Sequence, residues 1–119
     1  MDKSTTVQAL KNQIKDFCTA RDWDQFHNPK DLAIGISTEA NELLDLFRFK
    51  SEKEISDLLQ QPVFRTKLEN ELADVFFFVL RFAEKNKIDL RTAFDNKMQL
   101  NALKYSVEIS KGSNKKYHE

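Results

Sequence analysis

Two stretches of this chain repeat one interrupted pattern, an apolar helical stripe with a carboxylate set inside it. At helical pitch Leu32, Ile36, Leu43 and Phe47 share a face with Glu39 among them, and Phe64, Leu68, Val75 and Val79 share another with Glu71 among them. Three residues after each stands a second acid, Glu42 and Asp74, and the step from either member of the first pair to its counterpart is 32 residues. Only helical pitch gathers these positions on single faces, so the pattern requires packed helices. A carboxylate in a core-facing stripe is costly without a partner, and four that converge repel by ~4 kcal/mol per pair at ~4 Å and intermediate dielectric. A divalent cation resolves that conflict.

The rest of the chain agrees with an all-α fold of the four-helix-bundle type. Only two Gly and two Pro occur in 119 residues, which disfavours a turn-rich β architecture. The length suits one domain, expected over residues 1–109, followed by a polar, lysine-rich tail over 110–119 that is mobile in isolation. The charge is balanced, 19 Lys and Arg against 19 Asp and Glu, so no global basic field exists to hold nucleic acid or an anionic membrane. The start of the chain lacks the apolar run of a signal peptide and no stretch reaches membrane-spanning length, which makes the cytoplasm the expected compartment. The single cysteine, Cys18, lies on an apolar helical face and reads as a buried thiol.

Boundary signals divide the helices. Val7, Leu10, Ile14, Phe17 and Cys18 predict a first helix starting after Ser4 or Thr5 and ending near Ala20. The segment Arg21 to His27 is too aromatic for a solvated loop and is expected to fold back over something, with His27 satisfying local backbone groups. Asn28 offers an N-cap with Pro29 at the first helical position, for a helix reaching about Phe47. Ser51 caps a short helix that Pro62 separates from a long one over about Phe64 to Lys85, and Asp89 caps a last helix. Val75 to Leu80 is apolar on nearly every side, which calls for burial on two faces, one of them against a second subunit.

Residues three apart on a helix are surface neighbours, so each acidic pair presents two carboxylates together. Two such helices packed antiparallel form a four-oxygen-ligand cup suited to Mg2+ first and Mn2+ second, with zinc disfavoured by the lack of nearby Cys or His. An isolated E-x-x-E on a Glu-rich helix is most often a solvated face; two pairs in matching phase are not explained that way. Asp45 continues the spacing but rotates toward solvent. A di-iron bundle would need Glu-x-x-His pairs, and His27 and His118 both lie outside the paired helices.

The runs EANELLDLFRFK, ENELADVFFFVLRFAEKNKIDL and KMQLNALKYSVEISKGSNKKY resemble the all-α nucleoside triphosphate pyrophosphatases of the MazG-like superfamily. The segment RDWDQFHNPKDLAIGISTEANELLDLF is most similar to their dCTP pyrophosphatase branch. The resemblance runs from about Asp16 to Tyr117. It implies Mg2+-dependent cleavage of a nucleoside triphosphate, dCTP or a modified pyrimidine relative, to monophosphate and pyrophosphate, by a homodimer or homotetramer. It also implies that Glu39, Glu42, Glu71 and Asp74 are the catalytic metal ligands. On physical grounds one of the flanking carboxylates orients or deprotonates the water, and Glu42 is the expected one.

Substrate contacts follow from the same resemblance. Trp23 and Phe49 match aromatic positions that flank the base, Phe78 a position one turn after the last ligand, and Lys97 and Asn101 polar contacts. Lys104 and Tyr105 fall on a K-Y-P element, and Lys111, Lys115, Lys116 and Tyr117 resemble a basic segment that closes over phosphates, a disordered tail being the other reading. Three positions depart from the branch: Phe49 stands in place of Trp, Phe78 in place of Tyr and Ser106 in place of Pro. These bear on base preference, whereas the four acids that carry the reaction type are intact. The alternative to an enzyme is a helical interaction module that keeps the metal site without turnover.

Overall fold

A computed structural model of the chain describes residues 1–115, in which helices and turns occur and no strand does. The chain divides into two compact units, Met1–Lys87 and the segment beginning at Ile88. Among the described residues no helix is long and apolar enough to cross a membrane.

The first unit holds α1 (Val7–Ala20), α2 (Pro29–Asp45), α3 (Glu52–Leu58) and α4 (Pro62–Lys85). Thr6 caps α1, its side-chain oxygen accepting the Ala9 N–H at 3.0 Å. The start falls later than Ser4 or Thr5 because Asp2–Ser4 closes a separate 3-10 turn. Asn28 caps α2 by accepting the Asp31 N–H at 2.8 Å, with Pro29 supplying a first-turn residue that has no N–H to satisfy. Regular helix ends at Asp45, two residues before the expected Phe47, as the chain turns through Phe49 in a left-handed conformation (φ 63°). Ser51 and Glu54 form a reciprocal capping box on α3. Pro62 opens α4 instead of merely separating it from α3, so α4 starts two residues earlier than Phe64 and runs roughly 36 Å at 1.5 Å per residue.

α4 is the central element, packed on both α2 and α1. Its direction opposite to α2 follows from two contacts: Phe47, just past the end of α2, meets Phe64 in the first turn of α4 with ring centroids 5.9 Å apart, and Gly35 early in α2 lies under Phe78 late in α4. Cys18, Leu32, Phe64, Leu80 and Ala83 are buried between these helices, so Cys18 is the buried thiol that its helical face predicts. Burial on two faces holds for α4 only in part. Leu72 and Phe76 remain 55% and 47% exposed, leaving an apolar face that neither α1 nor α2 covers.

The second unit holds α5 (Leu90–Lys104) and the single turn α6 (Val107–Ser110). Asp89 caps α5 by accepting both the backbone N–H and the hydroxyl of Thr92. Ser106 precedes α6 with φ −61°, a value that proline also adopts. Lys116, Tyr117 and His118 lie outside the described residues.

Candidate metal and substrate site

The antiparallel packing of α2 and α4 brings Glu39 and Glu42 opposite Glu71 and Asp74. Each contributes one carboxylate oxygen to a group whose atoms all lie within 4.8 Å of one another. Glu39 and Glu71 are partly buried while Glu42 and Asp74 are exposed, the division their helical phase predicts. One oxygen of Glu39 and one of Glu71, both Oε2, are shut off from solvent with no hydrogen-bond donor.

The electrostatics follow from that placement. Burial raises the Glu39 carboxyl above the ordinary carboxylate range, Glu42 within hydrogen-bonding reach raises it further, and the charges of Asp74 and Glu71 add to this. Glu71 is raised in the same way, by burial first, then by Glu42 and then Asp74. Four acids with two orphaned buried oxygens and no basic side chain among them form a site with too much negative charge for its own stability. An oxygen-only donor set of this kind fits a hard divalent cation.

Asp45 lies outside this group, pairing with Arg48 at 3.2 Å on the surface. Trp23, in the turn between α1 and α2, is 38% exposed, with its ring edge-on to Phe17 at 5.6 Å and to His27 at 6.1 Å. Phe49 is 91% exposed and left-handed, with the Arg48 guanidinium 4.6 Å from its ring centroid. Phe78, one turn beyond Asp74, is partly buried against Gly35 and Phe77. In the second unit Lys97, Asn101, Lys104 and Tyr105 line one pocket of ≈ 500 Å³ together with Ser110, Ser113, Asn114 and Lys115.

One group was not anticipated from the sequence. Arg81 of α4 is completely buried, and its guanidinium donates to Nδ1 of His27 at 2.8 Å, to Oε2 of Glu84 at 2.6 Å and to Oδ1 of Asp24. His27 therefore serves a buried side chain and not the local backbone. The bond from Arg81 holds the Asp24 carboxyl below its usual range. Burial, then the charges of Arg81 and Lys85, hold His27 below its own, with Asp24 acting in the opposite sense. The available signal was Arg81 itself, a lone cation in the apolar run from Val75 to Ala83 and in phase with Asp74 and Phe78.

The chain is 36% identical over 112 residues to a dCTP pyrophosphatase 1 of Rattus norvegicus, covering 94% of this chain and 66% of that one. It is 32% identical over 114 residues to a dCTP pyrophosphatase 1 of Homo sapiens, covering 96% and 67%. The chain thus spans about two thirds of the length of these relatives. A crystal structure of a pyrophosphatase from Archaeoglobus fulgidus superposes with a TM-score of 0.77 at 32% identity, over 83% of this chain and 91% of the other. The family described as MazG-like matches residues 34–119, a span that includes all four clustered acids. By sequence and by its all-α fold, this chain belongs to the MazG-like family.

Proposed function

We propose that this protein is a nucleoside triphosphate pyrophosphohydrolase that uses Mg2+, or Mn2+ in its place, to convert a deoxynucleoside triphosphate to monophosphate and pyrophosphate. The observation that carries this reading is the convergence of Glu39, Glu42, Glu71 and Asp74 within 4.8 Å, two of them with orphaned buried oxygens. The names of the relatives favour dCTP or a modified pyrimidine counterpart as substrate. The role is clearance of such a nucleotide from the cytoplasmic pool.

A bound divalent cation supplies Lewis acidity, polarising phosphate and making water a better nucleophile. Glu39 and Glu71, fixed by their half-buried setting, hold the cation, with Asp74 and Glu42 completing the donor set. Glu42, at the exposed rim, orients the attacking water and takes its proton. Trp23 and Phe49 flank the base, and the exposure of Phe49 in a left-handed backbone suits a ring displayed for a ligand. Phe78 borders the sugar and base. Lys97, Lys104 and Lys115 give their shared pocket the positive charge for phosphate oxygens, while Asn101 and Tyr105 add hydrogen-bonding groups.

The uncovered face of α4, where Leu72, Val75, Phe76 and Val79 border one apolar groove, favours a homodimer or a dimer of dimers. Purified protein incubated with each dNTP and NTP, with and without Mg2+, tests the whole reading by chromatography. Monophosphate and pyrophosphate formed only with metal are expected. Orthophosphate as the first product, or no turnover of any nucleotide, would overturn it and leave a metal-binding interaction module.

A further inference from the structure

Arg81 is the one fully buried charged side chain among the described residues, and its three acceptors come from two places. Glu84 is one turn along the same helix. Asp24 and His27 belong to the turn between α1 and α2, 57 and 54 residues away in sequence. A buried guanidinium is retained only where its donors are matched, and its planar fork fixes the direction of each bond. The pairing therefore ties the turn to α4 at a defined angle.

That turn presents Trp23. The indole N–H aside, its backbone N–H closes α1 by donating to the Cys18 carbonyl at 3.0 Å, and Asp22 just before it is left-handed (φ 55°). The path from Arg81 to the indole is short: one hydrogen bond to His27, whose ring then lies edge-on to Trp23. On α4, Arg81 is in phase with Asp74 and seven residues beyond it, roughly 10 Å along the axis. A rigid helix thus sets the spacing between the point where the Trp23 turn is anchored and the acidic cluster.

We propose that Arg81, acting through His27 and Asp24, is a positioning residue that holds the Trp23 turn in register with the carboxylates of α4. The effect on catalysis rests on the reading of Trp23 as a nucleotide contact. The clamp itself does not.

Trp23 is the only tryptophan, so its fluorescence reports this turn alone. His27→Leu removes the acceptor, whereas His27→Asn keeps an oxygen near the place of Nδ1. In His27→Leu, acrylamide quenching of Trp23 is expected to rise about twofold and KM for dCTP about tenfold, with kcat within about twofold, as loss of one charge-assisted bond allows. His27→Asn is expected to restore both. Asp24→Asn, which keeps an acceptor but not the charge, falls between. Wild-type quenching in folded His27→Leu, judged by circular dichroism, would overturn the clamp whether or not the protein hydrolyses a nucleotide. Increased quenching without a KM change, while Trp23→Ala raises KM, would overturn the positioning role. An unchanged KM in Trp23→Ala itself would locate the failure in the nucleotide reading.

Discussion

Gly35 of α2 lies directly beneath Phe78 of α4: a Cβ added at Gly35 would sit 2.5 Å from two carbons of the Phe78 ring. Gly35 is one turn before Glu39 and Phe78 one turn after Asp74, so the closeness of the helices here sets the closeness of the carboxylates beside it. Alanine in place of a mid-helix glycine ordinarily stabilises by about 1 kcal/mol. At Gly35 the sign is expected to reverse, with destabilisation of about 1–3 kcal/mol by overpacking. Urea unfolding of Gly35→Ala in the wild-type and Phe78→Leu backgrounds checks this, since the smaller, flexible side chain should remove most of the penalty.

Glu42→Gln keeps the shape of the side chain and removes one charge that raises both Glu39 and Glu71. Without metal the variant is expected to melt higher than wild type, while pyrophosphate release falls by about 100-fold or more, in the range that loss of a general base produces. Calorimetry in EDTA and a coupled pyrophosphate assay measure the two effects. Full activity in this variant would remove Glu42 from the role of water-activating base.

Cation binding should stabilise the fold through the same cluster. At a hundredfold excess over Kd, linkage predicts about 2.7 kcal/mol, visible as a rise in Tm with Mg2+ or Mn2+ that EDTA reverses. Glu39→Gln and Glu71→Gln remove the two half-buried ligands and should abolish the rise, whereas Asp45→Asn, outside the group, should not.

The sign of the pH dependence at His27 follows from its depressed pKa. The unfolded histidine takes a proton near pH 6.5, before the folded one does, so the stability contributed by the neutral ring is present above that pH and lost as pH falls through the lower folded value. Urea midpoints measured between pH 7.5 and 5 should therefore fall more steeply for wild type than for His27→Asn. Parallel profiles would mean that the ring is protonated alike in both states.

Phe49 combines near-complete exposure with a left-handed backbone that costs stability, its ring lying against the Arg48 guanidinium and outside the core. Phe49→Gly is expected to stabilise the free protein by about 1 kcal/mol by relieving that backbone, and to raise KM for the nucleotide. Phe49→Ala should raise KM without the stability gain, so the pair separates strain from recognition.

The helices were legible because their start signals are local. Asn28, Ser51 and Asp89 each form the N-cap expected of them, accepting the backbone N–H groups of Asp31, Glu54 and Thr92. The acidic cluster was legible for a different reason, since two phases matched across 32 residues and the structure brings those four side chains together. Pro62 misled because proline is read equally well as a breaker and as a first-turn residue. The Arg81 cluster escaped because its partners, Asp24 and His27, lie more than fifty residues away and each has an ordinary local explanation. Nothing in a one-dimensional pattern says which distant carboxylate will meet a buried guanidinium.

The division of the four acids, two on α2 and two on α4, also determines when during folding the site exists. Neither helix alone carries more than two of the four clustered acids, and the full set assembles only after a contact spanning 32 residues has formed. On a ribosome the site is absent until α4 has emerged and docked. How the effect of added cation divides between faster folding and slower unfolding then reports how much of the α2–α4 junction the transition state has formed.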